Sequence, residues 1–486
     1  MGKISRLMSD TAVYGLGTMI PRLLNFGVLT PYYTRIFLKE DYGIITELYA
    51  YVVVLQVVLT YGMETGYFRF STDKSKENSV YSTIILALLG SSVVFILLMS
   101  LFASPIANFL DYSKHKEYII WFAWIIALDA FTSIPFAKLR RERKAFRFSM
   151  IKIANVLATL IMVFFFYEIY PWLKGSPKVM DVRFVFLANL IGSALTLVLL
   201  WKGIFQASFK FDSALFKTLM LYSIPLLIAG LSGSINEALD RILLKHLLPS
   251  SVNAMAQLGV YGANYKLAVF MTLFIQMFRY AADPFFFANM DNRDAKNLYA
   301  RVMNYFVIFC SLIFLGIMVN IDVAKFFIGK DYHEGLKIVP IVLLANLLLG
   351  VYLNLSIWYK LNNKTMYGAI FMAIGAVLTI VLNIVLVPVM GYVGAAWTHL
   401  IVYILMVAVS YYYGQKQYAV PYENVKLILY IVIPVGVVVV LQAFSIGPLW
   451  VKLAVGNSLL LLFILYAIRT EKVTEEIKQK LRSWSK

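Results

Sequence analysis

Cysteine is almost missing from this chain of 486 residues; Cys310 is the single one. A disulfide within the chain is therefore impossible, and one thiol does not make a cysteine-based metal or redox centre. Histidine is nearly as scarce: His115, His246, His333 and His399 show no metal-ligand spacing. Charged residues make up only 14% of the chain, against about 25% in an average soluble protein. No Gly-x-x-x-x-Gly-Lys loop is present to cradle a nucleotide phosphate, and no His-Glu-x-x-His to hold zinc. Neither ATP hydrolysis by this chain nor a bound cofactor is expected. No cleavable leader is evident at the amino terminus either, so the first apolar stretch is expected to be retained.

What fills the chain instead is apolar: 61% of residues are hydrophobic and the mean hydropathy is +0.76. One soluble core stops growing near about 250–300 residues and keeps a charged surface. Lipid removes that requirement, because it replaces water around the outer surface. The expected class is an all-α polytopic membrane protein. A span needs about 20 apolar residues to cross about 30 Å of hydrocarbon. About fourteen such runs occur, at 9–36, 42–68, 80–103, 118–137, 149–170, 184–201, 218–247, 257–286, 302–320, 338–357, 366–388, 393–413, 427–443 and 453–468. They are too long and too uniformly apolar for the alternating strands of a membrane β-barrel.

The net charge of +18 would suggest nucleic acid in a soluble protein. Here it is accounted for by the loops, and nucleic acid is not an expected partner. With both termini on one side, the loops of that side carry 27 Lys and Arg and the opposite loops carry 10. Positive residues favour the cytoplasm, so both ends are expected inside. The densest cluster, Lys138 to Lys144, reads first as a topology anchor and second as a partner or lipid-headgroup site. The tail from Arg469 to Lys486, with Trp484, reads as a basic segment lying on the membrane surface.

An internal repeat is visible. Tyr14 and Pro21 precede Arg35 and Gly43; Tyr222 and Pro225 precede Arg241 and Gly259. The Arg-to-Gly interval grows from 8 to 18 residues. The copies begin at spans 1 and 7, and six spans per copy preserve orientation. A parallel repeat of this kind places substrate between the halves, near the midplane. The expected organisation is two pseudo-symmetric six-helix lobes, 1–212 and 213–417, followed by two extra helices and a basic cytoplasmic tail over 418–486.

Seven cations fall inside spans: Arg22, Arg35, Lys152, Arg241, Lys245, Lys266 and Arg279. A charge at the bilayer centre costs about 2.5–3.5 kcal/mol, so such residues face a cavity or a partner. Arg35, Lys152 and Lys245 lie near span ends, where snorkelling explains them. Arg279 has Asp283 four residues on, a local ion pair. Arg22 and Lys266 lie deepest, and Pro21 beside Arg22 predicts a bend. Arg241 shares an unusually polar span with Asn236, Glu237 and Asp240, although Glu237 alone could neutralise it. Arg22, Arg241 and Lys266 are the candidate substrate-binding cations. Among the embedded acids, Glu47 and Asp240 are the candidates for ion coupling, since a buried carboxyl can carry a proton; packing and pairing compete with that reading. Tyr14, Tyr261 and Tyr265 could stack on a sugar.

Three stretches resemble the polysaccharide-biosynthesis branch of the multidrug/oligosaccharidyl-lipid/polysaccharide exporter superfamily, the flippases for O-antigen and capsule repeat units. Leu38 to Gly43 resembles that family's turn after the first span. Asp240 to Leu244, with Gly259-Val260-Tyr261 and Tyr265-Lys266-Leu267, resembles its spans 7 and 8. Leu382 to Pro388, with Gly391 to Ala396, resembles its turn between spans 11 and 12, where Asn383 and Pro388 would shape a helix end. The resemblance implies two lobes around a cationic cavity working by alternating access. Its cargo would be a polyprenyl-pyrophosphate-linked oligosaccharide, and its place a bacterial cytoplasmic (inner) membrane. Membrane lipids would be partners, as would other membrane proteins of polysaccharide assembly. Three other readings stand beside it: an ion-coupled multidrug exporter, a peptidoglycan-precursor flippase, and a membrane polymerase or ligase acting on lipid-linked sugars. The first would want deep acids where this chain has bases. The last would want a large exterior loop, which the spacing of the spans does not leave.

Overall fold

The computed structural model describes residues 15, 17, 19–73, 75–175, 177, 180–208, 210–362, 364–443 and 447–471, apart from the side chains of 280, 281, 283, 284 and 288. Every regular element among them is helical. Thirteen of the helices are long and apolar enough to cross a membrane, from Lys39–Phe70 to Leu449–Thr470. They correspond one for one to the thirteen spans expected after the first. The expected first span, 9–36, begins outside the described residues, and its described end runs through Asn25–Leu29 and Thr30–Ile36. Helices are what such a sequence must form in hydrocarbon, where each backbone N–H and C=O has to be satisfied within its own segment.

The chain forms two compact units, one of residues 1–262 with 372–395 and one of 263–371 with 396–486. The first has an aromatic core in which Tyr67, Tyr81, Phe131, Phe136 and Phe148 pack with Met63, Ile84 and Leu88. The second buries Phe286, Tyr299, Ile357 and Val420 together. Outward faces are apolar as well. The Glu77–Leu101 helix buries Tyr81, Ile84, Ile85 and Leu88 but exposes Val93, Val94, Leu97, Leu98 and Leu101. In water a continuous apolar face of that kind marks an interaction surface; here lipid tails supply the partner.

Close helix approach in the first unit depends on glycine. A Cβ on Gly43 would lie 2.2 Å from the Met255 carbonyl oxygen, and one on Gly259 would lie 1.9 Å from the Lys39 carbonyl oxygen. These are the glycines that end the two copies of the sequence repeat, and each receives the backbone of the other copy. Small residues at a crossing let two helices come this near. Asn253 Nδ2 donates to Glu40 Oε1 at 2.7 Å beside the same crossing.

Two spans of the first unit are irregular. Wide π-turns at Asn25–Leu29 and Phe165–Ile169 each stand just before a proline, Pro31 and Pro171. A proline has no N–H to donate, and its ring crowds the carbonyl four residues back. A wider turn relieves both conflicts, and such turns recur at functional sites. The two irregular segments meet: Tyr32 packs on Phe164 at 5.0 Å between ring centres, and its hydroxyl donates to Glu168 at 2.7 Å.

Candidate functional site

The polar residues of the Ser213–Leu247 helix organise the site. Asn236 and Asp240 are one turn apart and both buried. Asn236 Nδ2 donates to the Met372 carbonyl at 3.1 Å, and its Oδ1 accepts from Thr379 Oγ1 at 3.0 Å. One turn beyond Thr379, the Asn383 amide donates to the Thr379 carbonyl at 2.8 Å, while its Oδ1 is buried without a hydrogen-bond partner. Asp240 is fully buried and accepts from the Tyr261 hydroxyl at 2.5 Å. Two spacings of a helical turn, Asn236 to Asp240 and Thr379 to Asn383, have therefore built an oxygen-rich seam inside the first unit. A buried unpaired polar group costs free energy, which makes the seam a candidate site.

A second charged group lies one turn further along the same helix. Lys245 Nζ donates to the Leu110 carbonyl at 2.5 Å and to Glu47 Oε2 at 3.3 Å, and lies 3.6 Å from Asp111. Glu47 is fully buried and also accepts from the Tyr112 hydroxyl. The ammonium stands 4.6 Å from the centre of the Tyr112 ring, a cation–π distance. Lys245 is thus no snorkelling residue. Its side chain is 9% exposed and turned onto a carboxylate, which is the physically cheaper place for a cation that cannot reach water.

The candidate cations are distributed unevenly. Arg22 is exposed and stands three residues before the π-turn that starts at Asn25. Arg241 is partly buried, next to Asp240. Both belong to the first unit, with Glu47 and Asp240, whereas Lys266 belongs to the second. Lys266 is exposed and opens a 3-10 turn, Lys266–Ala268, that interrupts its span. Each of these two deep cations therefore sits at or beside a break in helical regularity. Of the cations expected to be satisfied locally, Arg35 donates to the Pro31 carbonyl at 2.6 Å, and Lys152 stands over the Phe136 ring at 4.1 Å. The partner expected for Arg279, Asp283, lies outside the described side chains.

Two sequence expectations change, those for Tyr261 and Asn383. Tyr261 is fully buried on Asp240 and so orients a carboxylate instead of offering a face to sugar. Tyr265 packs near His399, at 6.1 Å between ring centres, and Tyr14 lies outside the described residues. The turn expected between these spans does follow Met390, and Pro388 lies in the last turn of Met366–Met390, but Asn383 lies well inside that helix, which Gly391, at φ 60°, ends beside Gln257. The anchor cluster is also more structured than a topology signal requires. Arg140 pairs with Glu64 and Arg141 with Glu77, and Lys138 lies 4.2 Å from the Tyr81 ring centre.

This arrangement of helices recurs in known structures. A lipid II flippase, MurJ, in an inward closed conformation is 14% identical, with a TM-score of 0.74, covering 94% of this chain and 99% of that one. An inward-facing multidrug resistance MATE family transporter of the MOP superfamily is 12% identical, with a TM-score of 0.66 over 84% of this chain and 97% of that one. A MATE in complex with MaL6 is 14% identical, with a TM-score of 0.61 over 86% and 98%. At these identities the likeness is one of fold. No protein with a curated description matches in sequence. The family described as polysaccharide biosynthesis protein matches residues 7–290, more than half of the chain. With its helical spans and their fold, this match assigns the chain: it belongs to the polysaccharide biosynthesis protein family of multi-pass membrane proteins.

Proposed function

We propose that this protein is a flippase, carrying a polyprenyl-pyrophosphate-linked oligosaccharide across a bacterial cytoplasmic membrane for surface polysaccharide assembly. The observation that carries the reading is Arg22, an exposed guanidinium in the described end of the expected first span, beside a π-turn. Lipid would penalise that charge, whereas a pyrophosphate crossing a low-dielectric region would reward it. Arg241 and Lys266 add two further cations, and lobes 1–212 and 213–417 would present them to a shared cavity, with 418–486 as an appendage. Family membership points to polysaccharide assembly, and the fold is that of a lipid II flippase. Both termini would face the cytoplasm. The Gly43–Gly259 crossing and the Glu47–Lys245 pair would then close the exterior end, and Asp240, in its seam, would be the carboxyl that couples an ion to transport. Transport itself makes no covalent bond, and the chain is not proposed as an enzyme.

Reconstituted protein with a labelled polyprenyl-pyrophosphate oligosaccharide tests this directly. Wild type should translocate it, and Arg22→Ala should lose at least about tenfold in rate, the worth of one charge-assisted contact. Undiminished flipping by the variant would overturn the role of Arg22. The second reading, an ion-coupled multidrug exporter, draws on the buried carboxylates Glu47 and Asp240. Export of a cationic dye, with no movement of the lipid-linked sugar, would select it. Movement of a peptidoglycan precursor alone would select that cargo.

A further inference from the structure

A polar cavity of about 570 Å³ opens in the second unit, whereas the Asn236–Asp240 seam and the Glu47–Lys245 pair belong to the first. Its wall includes Asp294, Arg301, Asn304, Glu423, Lys426 and Glu471. These residues come from the start of Ala295–Val319, the start of Asn424–Ala443 and the end of Leu449–Thr470. Three span ends meet there, which sets the cavity at headgroup level and not in the hydrocarbon.

The chemistry of the wall is mixed. Asn304, 1% exposed, donates through Nδ2 to Glu423 at 2.7 Å and to Glu471 at 3.4 Å. The Tyr430 hydroxyl donates to Glu471 at 2.6 Å. Lys426 is 2.8 Å from Glu423. Among the described residues three carboxylates face two cations, and the hydrogen bonds that Glu471 accepts come from neutral groups, Asn304 and Tyr430. Asn304 Oδ1 is buried with no hydrogen-bond partner. The flanks below the cavity are apolar: Val425, Ile428 and Val432 are exposed on one helix, Leu461, Leu465 and Ile468 on the other.

We propose that this cavity seats the headgroup of a zwitterionic aminophospholipid. The primary ammonium lies on Glu471 and the phosphodiester against Arg301 and Lys426, with the acyl chains along the exposed apolar flanks. A primary ammonium brings three N–H donors to a carboxylate whose hydrogen bonds among the described residues come from neutral groups. A quaternary ammonium brings none, and a glycerol headgroup brings no positive charge. The site is independent of the cargo proposed above, and its test does not require transport.

Purified protein in nanodiscs of phosphatidylethanolamine, phosphatidylcholine or phosphatidylglycerol is transferred to the gas phase, and the lipids that stay bound are counted by native mass spectrometry. Phosphatidylethanolamine should be retained over the other two on the order of tenfold, the value of one charge-assisted hydrogen bond. Glu471→Gln should abolish the preference, and Glu117→Gln, remote in sequence on another helix, should keep it. Arg301→Gln should weaken retention of phosphatidylethanolamine and phosphatidylglycerol alike, which keeps the proposal testable if Glu471→Gln does not fold. Equal retention of all three lipids by wild type overturns it. So does a preference that survives both substitutions. Binding of spermidine or magnesium that depends on Glu471, without any lipid preference, would make this a soluble-cation site and also defeat the proposal.

Discussion

Lys245 and Glu47 stand 198 residues apart in sequence and 3.3 Å apart in space. Nothing in the local pattern around either residue announces the other, so the sequence suggests only that a lysine near a span end reaches for water. Removing one partner of a buried pair leaves a charge stranded, at a cost of about 3–5 kcal/mol. Lys245→Ala should lower stability by that amount in detergent, measured by denaturant unfolding. Adding Glu47→Gln should recover a large part of the loss; a double variant as unstable as the sum of the singles would show that the residues do not interact. A different logic governs Asp322, in the short Ile321–Ala324 helix between spans, where hydrogen bonds from Lys325 and then Lys452 hold the carboxyl below its ordinary value. Because the folded value is the lower one, its contribution to stability is complete above the unfolded value of about 3.9. It is lost as pH falls through the folded value. Asp322→Asn should therefore flatten the acid limb of a stability–pH curve, and parallel limbs for variant and wild type would refute the assignment.

Helices are legible where their cause is local. Span lengths follow from bilayer thickness, and thirteen of the expected runs reappear as helices. Irregularities are legible only in part. Pro21 predicts a bend near Arg22, yet the described distortion is the π-turn before Pro31, because it is the carbonyls preceding a proline that lose a partner. The Lys39–Phe70 span breaks at Tyr61 and Gly62, both at positive φ, for which the surrounding apolar residues give little warning. Gly259 was visible as a repeat signal, but its steric role needs the partner helix. Gly259→Ala would push a methyl group into the Lys39 carbonyl, and overpacking of this sort costs about 1–3 kcal/mol or more. Gly316→Ala, where open space surrounds the α-carbon, should be neutral or stabilising by about 0.5–1 kcal/mol. Equal melting shifts for the two variants would contradict the close crossing.

Across the whole molecule, class and family were legible because they rest on composition and on motifs spread along the chain. The candidate site was legible as a set of charges but not as a set of partnerships. Asp240 could be singled out from its span, whereas Thr379 reaches Asn236, one turn before it, only through folding. The glycine crossing carries a last consequence. Gly43 accepts the backbone of the second repeat where Gly259 accepts that of the first. A contact in which residue i meets j while j meets i is isologous, the signature of a twofold dimer. The joint between the repeats thus has the form of an interface between two copies of one ancestral chain, later tied by a linker. Two polypeptides, 1–208 and 210–486, co-expressed in one cell, should find each other and purify as a stoichiometric pair, and Gly259→Ala should separate them.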